Sequence, residues 1–494
     1  MRSRLTAAIA ALAMLGLAPS FANAEDVQTQ LQQMQQQMQK MQDQLQATND
    51  QLKAANQRVD AQTKLIQDSG LAETRGATNG LPGFLGSLTI NGWVAGSYNY
   101  NINDPNDHNN PNGGLAFANS GATGQFYPLH PDQNSFSLDQ VWFGLEREVS
   151  EDNRAGFRAD LLIGNTAKYV GGSCGSSTDV SCFYVDQAYV HYLAPVANGI
   201  DFKFGKFDTP IGVEVLATPY NWNITRGDVW SLLEPINHIG IQMGGKIGES
   251  GFDWMIGGVN GFAPDSPDIN DGKSVIGHLG WSSDKASVGL NTIWGPETFG
   301  YDGDQGGVVN LLLKWMPSEK FSMYLNSDFD YMNAPQGTGL NPYAFGFSLA
   351  GRYAITDRTG IALRGEYVKD HDGFIACSGL LGGLQIPSAL GVPPSAPAGS
   401  PSGSNCGGVA TANPPNFDNV WGVTATVDHL LTDQLMIRGE ARYDNVDITT
   451  INSIGNFNHD SYFNQNSHYP GTNQDNQVVL AVEVIYNFNK FGGQ

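Results

Sequence analysis

From Ser87 to the C-terminus, apolar and polar residues alternate with a period of two, the mark of strands whose faces meet different surroundings. In the first segment Leu88, Ile90, Val94, Tyr98 and Tyr100 share one face. Thr89, Asn91, Ser97 and Asn99 share the other, and Trp93 interrupts the alternation. The pattern predicts about sixteen strands, near 87–101, 135–149, 154–166, 182–194, 199–209, 237–249, 252–262, 274–283, 286–295, 307–316, 320–333, 342–355, 359–370, 420–431, 434–448 and 476–488. Tilted strands of about ten residues cross a bilayer, whereas soluble strands usually stop at about 5–6 residues.

The connections alternate in length. Tight turns fall at Ser150 to Asn153, Pro195 to Asn198, Ser250-Gly251, Asp284-Lys285, Pro317 to Glu319, Thr356 to Arg358 and Thr432-Asp433. Longer loops fall at 102–134, 167–181, 210–236, 263–273, 296–306, 334–341, 371–419 and 449–475. Short periplasmic turns opposite longer external loops are the membrane-barrel pattern. Lipid offers backbone groups no hydrogen-bond partner, so a spanning sheet must close on itself. The expected fold is an all-β transmembrane antiparallel barrel over residues 87–494.

Ahead of it the period changes to seven. Leu31, Met38, Leu45, Leu52, Val59 and Ile66 take the a positions, and Val27, Met34, Met41, Thr48, Ala55 and Gln62 take d. That spacing predicts an α-helical coiled coil over 25–68, followed by a Gly-rich linker over 69–86. Arg2 and Arg4, an apolar run from Leu5 to Leu17 and the small-x-small site Ala22-Asn23-Ala24 read as a signal peptide, residues 1–24. The barrel is therefore expected in the cell outer membrane, with lipid around it and the coil in the periplasm.

Composition adds two restraints. The 60 glycines and 15% charged residues suit strands and polar loops better than a soluble α/β enzyme. A net charge of −22 argues against nucleic acid as a partner. The four cysteines, Cys174, Cys182, Cys377 and Cys406, predict disulfides in an exported chain, and three pairings are open. Two local pairs, Cys174–Cys182 and Cys377–Cys406, are favoured because each lies in or beside one loop.

Charged side chains sort to one strand face. Arg158 and Asp160 alternate with Phe157 and Leu161, and Lys203 lies between Phe202 and Phe204. Arg364 and Glu366 alternate with Leu363 and Tyr367, while Arg438, Glu440 and Arg442 alternate with Ile437 and Tyr443. An Arg or Lys facing lipid at mid-depth costs about 2–4 kcal/mol, so these residues are expected to line a water-filled lumen, opposing Glu366, Glu440 and Asp444 across it. Loop 210–236 is less polar than its neighbours and is the expected constriction, carrying Glu214, Trp222, Arg226, Asp228, Trp230 and Glu234.

The stretch FYVDQAYVHYLAPVANGIDFKFGKFDTPIGVEVLATPYNWNITR, with NSFSLDQVWFGLE at 134–146 and GFRADLLIGNTA at 156–167, resembles the OmpL-like β-barrel porin family. GKFDTPIG at 205–212 also resembles a segment of the phosphate-selective porins. The first resemblance implies an outer-membrane pore passing small hydrophilic solutes, and assigns no substrate residues. A homotrimer through barrel wall and coil is expected; a barrel that tethers the coil to the cell wall is the alternative. The motifs H-E-x-x-H and G-x-x-x-x-G-K-[ST] do not occur, and no enzyme, cofactor or metal is expected. The Asp/Asn-rich run DPNDHNNPNGG at 104–114 reads as a solvated loop before a calcium site.

Overall fold

The first and last strands pair with each other, which turns the sheet into a cylinder. The structure, a computed structural model, describes residues 88–102, 129–130, 134–170, 182–262, 270–298, 301–333, 343–371, 416–449, 476–489 and 491, with Lys40 alone before them. The expected signal peptide, coiled coil and linker lie outside the described residues. So do the 104–114 run, most of loops 371–419 and 449–475, and Cys174, Cys377 and Cys406. Cys182 is buried and is not a free thiol.

Sixteen strands follow in chain order: β1 (Thr89–Asn101), β2 (Ser135–Arg147), β3 (Ala155–Ile163), β4 (Phe183–Ala194), β5 (Ile200–Asp208), β6 (Asn237–Lys246), β7 (Phe252–Val259) and β8 (Ser274–Ser282). The second half comprises β9 (Ala286–Thr298), β10 (Tyr301–Ser318), β11 (Phe321–Met332), β12 (Tyr343–Thr356), β13 (Thr359–His371), β14 (Asn416–Leu430), β15 (Leu435–Thr449) and β16 (Asn476–Asn487). Each strand pairs antiparallel with its sequence neighbours, and β1 closes on β16 from Trp93 opposite Asn487 to Asn101 opposite Val479. Closure leaves no strand edge to desolvate in lipid.

The alternation read from sequence is the alternation of the wall. On β13, Leu363 is 56% exposed on the outside while Arg364, the next residue, is 1% exposed on the inside. Phe136, Phe204, Leu349, Trp421 and Val482 likewise stand on the outer face. Ser97, Asn99, Asn310, Thr424 and Glu483 are buried on the inner one. An apolar exterior around a polar interior is the arrangement that hydrocarbon selects.

Two local differences from the sequence reading have physical causes. β3 stops at Ile163, because Gly164 adopts φ 128° and a short helix, α1 (Asn165–Tyr169), follows. The expected loop 296–306 is largely strand: β9 and β10 pair out to Thr298 and Tyr301, with a register shift before Gln305. Trp93, the residue that interrupts the alternation, is an apolar ring on the inner face. It stacks on Trp142 at 4.7 Å and donates Nε1–H to Gln140 at 2.9 Å, which satisfies its polar atom.

Candidate functional site

The segment 210–236 leaves β5, crosses the interior and meets the inner faces of strands on the far side. It contains a 3-10 turn (Thr218–Tyr220) and one short helix, α2 (Asp228–Leu233), all of whose residues are buried. A loop this apolar needs a packing surface. Val229, Leu232 and Leu233 of α2 pack among inward residues including Val259, Ile276, Val308, Val368 and Val420. Trp230 joins a second buried group with Trp93, Trp142 and Ile485.

Polar contacts fix the segment to β13–β16. The Glu440 carboxylate on β15 accepts from the backbone N–H groups of Ile224 and Thr225 at 2.6 and 3.0 Å. It also accepts from the hydroxyls of Thr225 and Thr426 at 2.6 and 2.7 Å. Arg364 on β13 donates to Glu214 at 2.6 Å and to the Thr225 carbonyl at 2.9 Å, and lies 2.8 Å from Glu366. Arg442 donates to Asp228 and to the Arg226 carbonyl, both at 2.6 Å, while Asp444 holds its Nε. Arg438 donates to the Asn221 carbonyl at 2.7 Å and is paired with Glu483. Each guanidinium thus joins wall to loop with charge-assisted bonds, the stronger kind.

Within the loop, Arg226 donates to the carbonyls of Val215, Leu216 and Ile224 at 2.7–2.9 Å. Burial lowers its pKa to about 10, with Glu214 pulling the other way. Burial raises the Glu214 carboxyl above its ordinary range, opposed first by Arg364. Two glycines permit the fold. Gly212 has φ 86°, and the Glu234 carboxylate occupies the space a side chain there would need. At Gly227 the Glu366 carboxylate does the same.

The predicted lumen residues divide into two groups. Arg364, Glu366, Arg438, Glu440 and Arg442 lie on the inner face, beneath the loop and buried rather than facing water. Arg158 and Asp160 pair at 2.7 Å on β3, with Arg158 partly exposed. Lys203, half-buried on β5, lies 4.9 Å from the Tyr189 ring centroid. Of the loop residues, Glu214 and Asp228 contact wall arginines, Arg226 stays within the loop, and half-buried Trp222 packs near Tyr324 with ring centroids 5.2 Å apart. Trp230 is buried among aromatics, and Glu234 meets β11 through Asn326 at 2.5 Å. Sequence reasoning missed Asn326, Asp328 and Asp330, although their period of two on β11 carried the signal, and it missed Glu483 and Thr426.

A closed sixteen-strand barrel with an apolar exterior, a polar interior and a loop folded inward defines an outer-membrane porin. The chain belongs to the family described as "Putative beta-barrel porin-2, OmpL-like", whose sequence profile matches residues 87–488. Similar solved structures include the outer membrane channel DcaP of Acinetobacter baumannii, at 11% identity, covering 81% of this chain and 97% of that one, with TM-score 0.47. The anion-selective porin from Comamonas acidovorans is similar at 11% identity over 81% and 99%, with TM-score 0.47. OprB of Pseudomonas putida is similar at 12% identity over 82% and 95%, with TM-score 0.47. No curated protein matches the chain.

Proposed function

We propose that the protein passes small hydrophilic solutes or ions by passive diffusion, with residues 210–236 forming the constriction. The observation that carries this reading is the loop itself: wall residues Arg364, Glu440 and Arg442 hold it inside the cylinder. Arg158 and Lys203, which keep partial exposure, are proposed to line the passage and filter solutes by charge, with buried Asp160 paired to Arg158. The 24-residue leader is proposed to be removed on export. Ester hydrolysis by the purified barrel is not expected.

Planar-bilayer recording of the purified protein tests the pore. Stepwise conductance that grows when 213–233 is replaced by a short Gly-Ser link supports it. No conductance from either form defeats it. Reversal potentials under a salt gradient give the sign of ion preference.

The heptads of 25–68 favour a second, compatible role, in which a periplasmic coiled coil joins three copies and meets the cell wall. Deleting 25–68 is then expected to abolish cell-wall association and weaken cross-linked trimers while leaving conductance intact. The Cys174–Cys182 and Cys377–Cys406 pairings are proposed with it, and peptide mapping under non-reducing conditions checks them.

A further inference from the structure

Glu234 ends the inward segment, just after α2, and its side chain is 1% exposed. Its Oε1 accepts from Asn326 Nδ2 at 2.5 Å. Asp328, two residues farther along the same inner face of β11, is equally buried, and the same Asn326 Nδ2 lies 3.5 Å from its Oδ2, so that one amide stands between the two carboxyls. Asp330 continues that face. Among the described residues no Lys or Arg bonds to these three carboxyls. This contrasts with Glu214, Asp228 and Glu483, each of which has its arginine.

Neighbouring amides are oriented by one another. Asn291 Nδ2 donates to Asn310 Oδ1 at 2.7 Å, and Asn310 Nδ2 donates to Asn326 Oδ1 at 2.7 Å and to Asp328 Oδ1 at 2.6 Å. Because the Asn291 amide N–H groups point toward β10, its Oδ1 accepts from His278, 2.6 Å away. The far side of His278 meets Asp253, which is 41% exposed. Every amide in this row therefore aims its N–H toward the carboxyl pair. The row runs out of donors there: Glu234 Oε2 and Asp330 Oδ1 are buried with no hydrogen-bond partner. Two buried carboxyls gathered on one amide nitrogen cannot both stay ionised without a cation, and a proton held by the pair supplies the missing donor.

We propose that Glu234 and Asp328 form a proton-operated latch, which holds the inward segment against β11 when protonated and lets it go when both carboxyls ionise. The latch rests on the pore reading only for its effect on conductance. Groups facing the pair are Asp330 on β11, Glu214 in the segment with its partner Arg364, and the His278–Asp253 pair at the other end of the amide row. Burial and Asp328 both push the Glu234 carboxyl well above its ordinary range. The latched form thus binds more protons than the freed one. Latching is complete below the ordinary carboxylate range and is lost as pH rises through the raised value.

The test is bilayer recording of the full chain from acidic to alkaline pH, beside Glu234→Gln, Asp328→Asn and the controls Asp253→Asn and His278→Gln. The wild type is expected to conduct more as pH rises, its open-to-shut ratio changing about tenfold per pH unit for each proton released. Glu234→Gln supplies an amide donor in place of the proton and should stay shut at every pH; both controls should keep the wild-type response. A wild type that conducts independently of pH overturns the latch and leaves the pore reading standing. A response lost in either control places the sensor at His278–Asp253 and also overturns it, as does a response to added calcium rather than to pH. If no form conducts, including the one with 213–233 replaced, the pore reading fails. Infrared difference spectra then decide the latch alone: a protonated-carboxyl band present in the wild type and missing in Glu234→Gln supports it, and no such band overturns it.

Discussion

Arg364 on β13 donates to the Glu214 carboxylate, 150 positions earlier in the chain, at 2.6 Å, with both side chains withdrawn from solvent. Removing one member of a buried pair strands the other, at a cost of about 3–5 kcal/mol. Arg364→Met is therefore expected to free the inward segment without opening the sheet. Trypsin should cut after Arg226 in the variant and not in the wild type, while the circular dichroism of the strands is unchanged. Equal resistance in both proteins would contradict the clamp.

Glu440 is the second anchor. Its two oxygens accept four hydrogen bonds, three from Ile224 and Thr225. In Glu440→Gln one oxygen becomes an NH2 group facing donors, which leaves buried N–H or O–H groups unpaired at about 1–3 kcal/mol each. Since 1.4 kcal/mol is a factor of ten, the amides of Ile224 and Thr225 should exchange hydrogen at least about tenfold faster.

Leu363 tests the orientation of the wall. It stands on the outer face, one residue from the buried Arg364. Leu363→Arg should cost about 2–4 kcal/mol if that face meets acyl chains near mid-depth. Denaturant titration of protein folded into vesicles measures this, and a neutral result would argue against a lipid-facing surface there.

Gly212 tests the path of the loop. With φ at 86° and the Glu234 carboxylate standing where a Cβ would go, a methyl group here must displace that carboxylate. Gly212→Ala should lower the thermal midpoint and raise conductance together, since strain of about 1–2 kcal/mol and a displaced Glu234 have the same origin. A variant with wild-type conductance and midpoint would be evidence against the described loop path.

The wall was readable because lipid enforces a period of two wherever it touches a strand. Leu363 and Arg364 differ so sharply that neighbouring strands could be placed without any knowledge of their partners. Turn residues such as Asp284-Lys285 then set the hairpins. The loop could be picked out by its apolar text, but not its attachments. Nothing near Glu440 in sequence says that Ile224 and Thr225 will meet it, because that contact depends on how the barrel closes. The same ignorance gave Arg364, Arg438 and Arg442 an open lumen when loop carbonyls and carboxylates cover them. Trp93 could be seen to interrupt the alternation, but not what receives its indole inside, which is Gln140 and Trp142.

The seam between β1 and β16 has a consequence for biogenesis. Val94 lies opposite Tyr486, so the cylinder cannot shut until the final strand has been delivered across the inner membrane. Until then the nascent sheet carries two adhesive borders, and a chain cut short before Asn476 keeps both of them. Such fragments should need chaperone escort in the periplasm and should be degraded there rather than inserted.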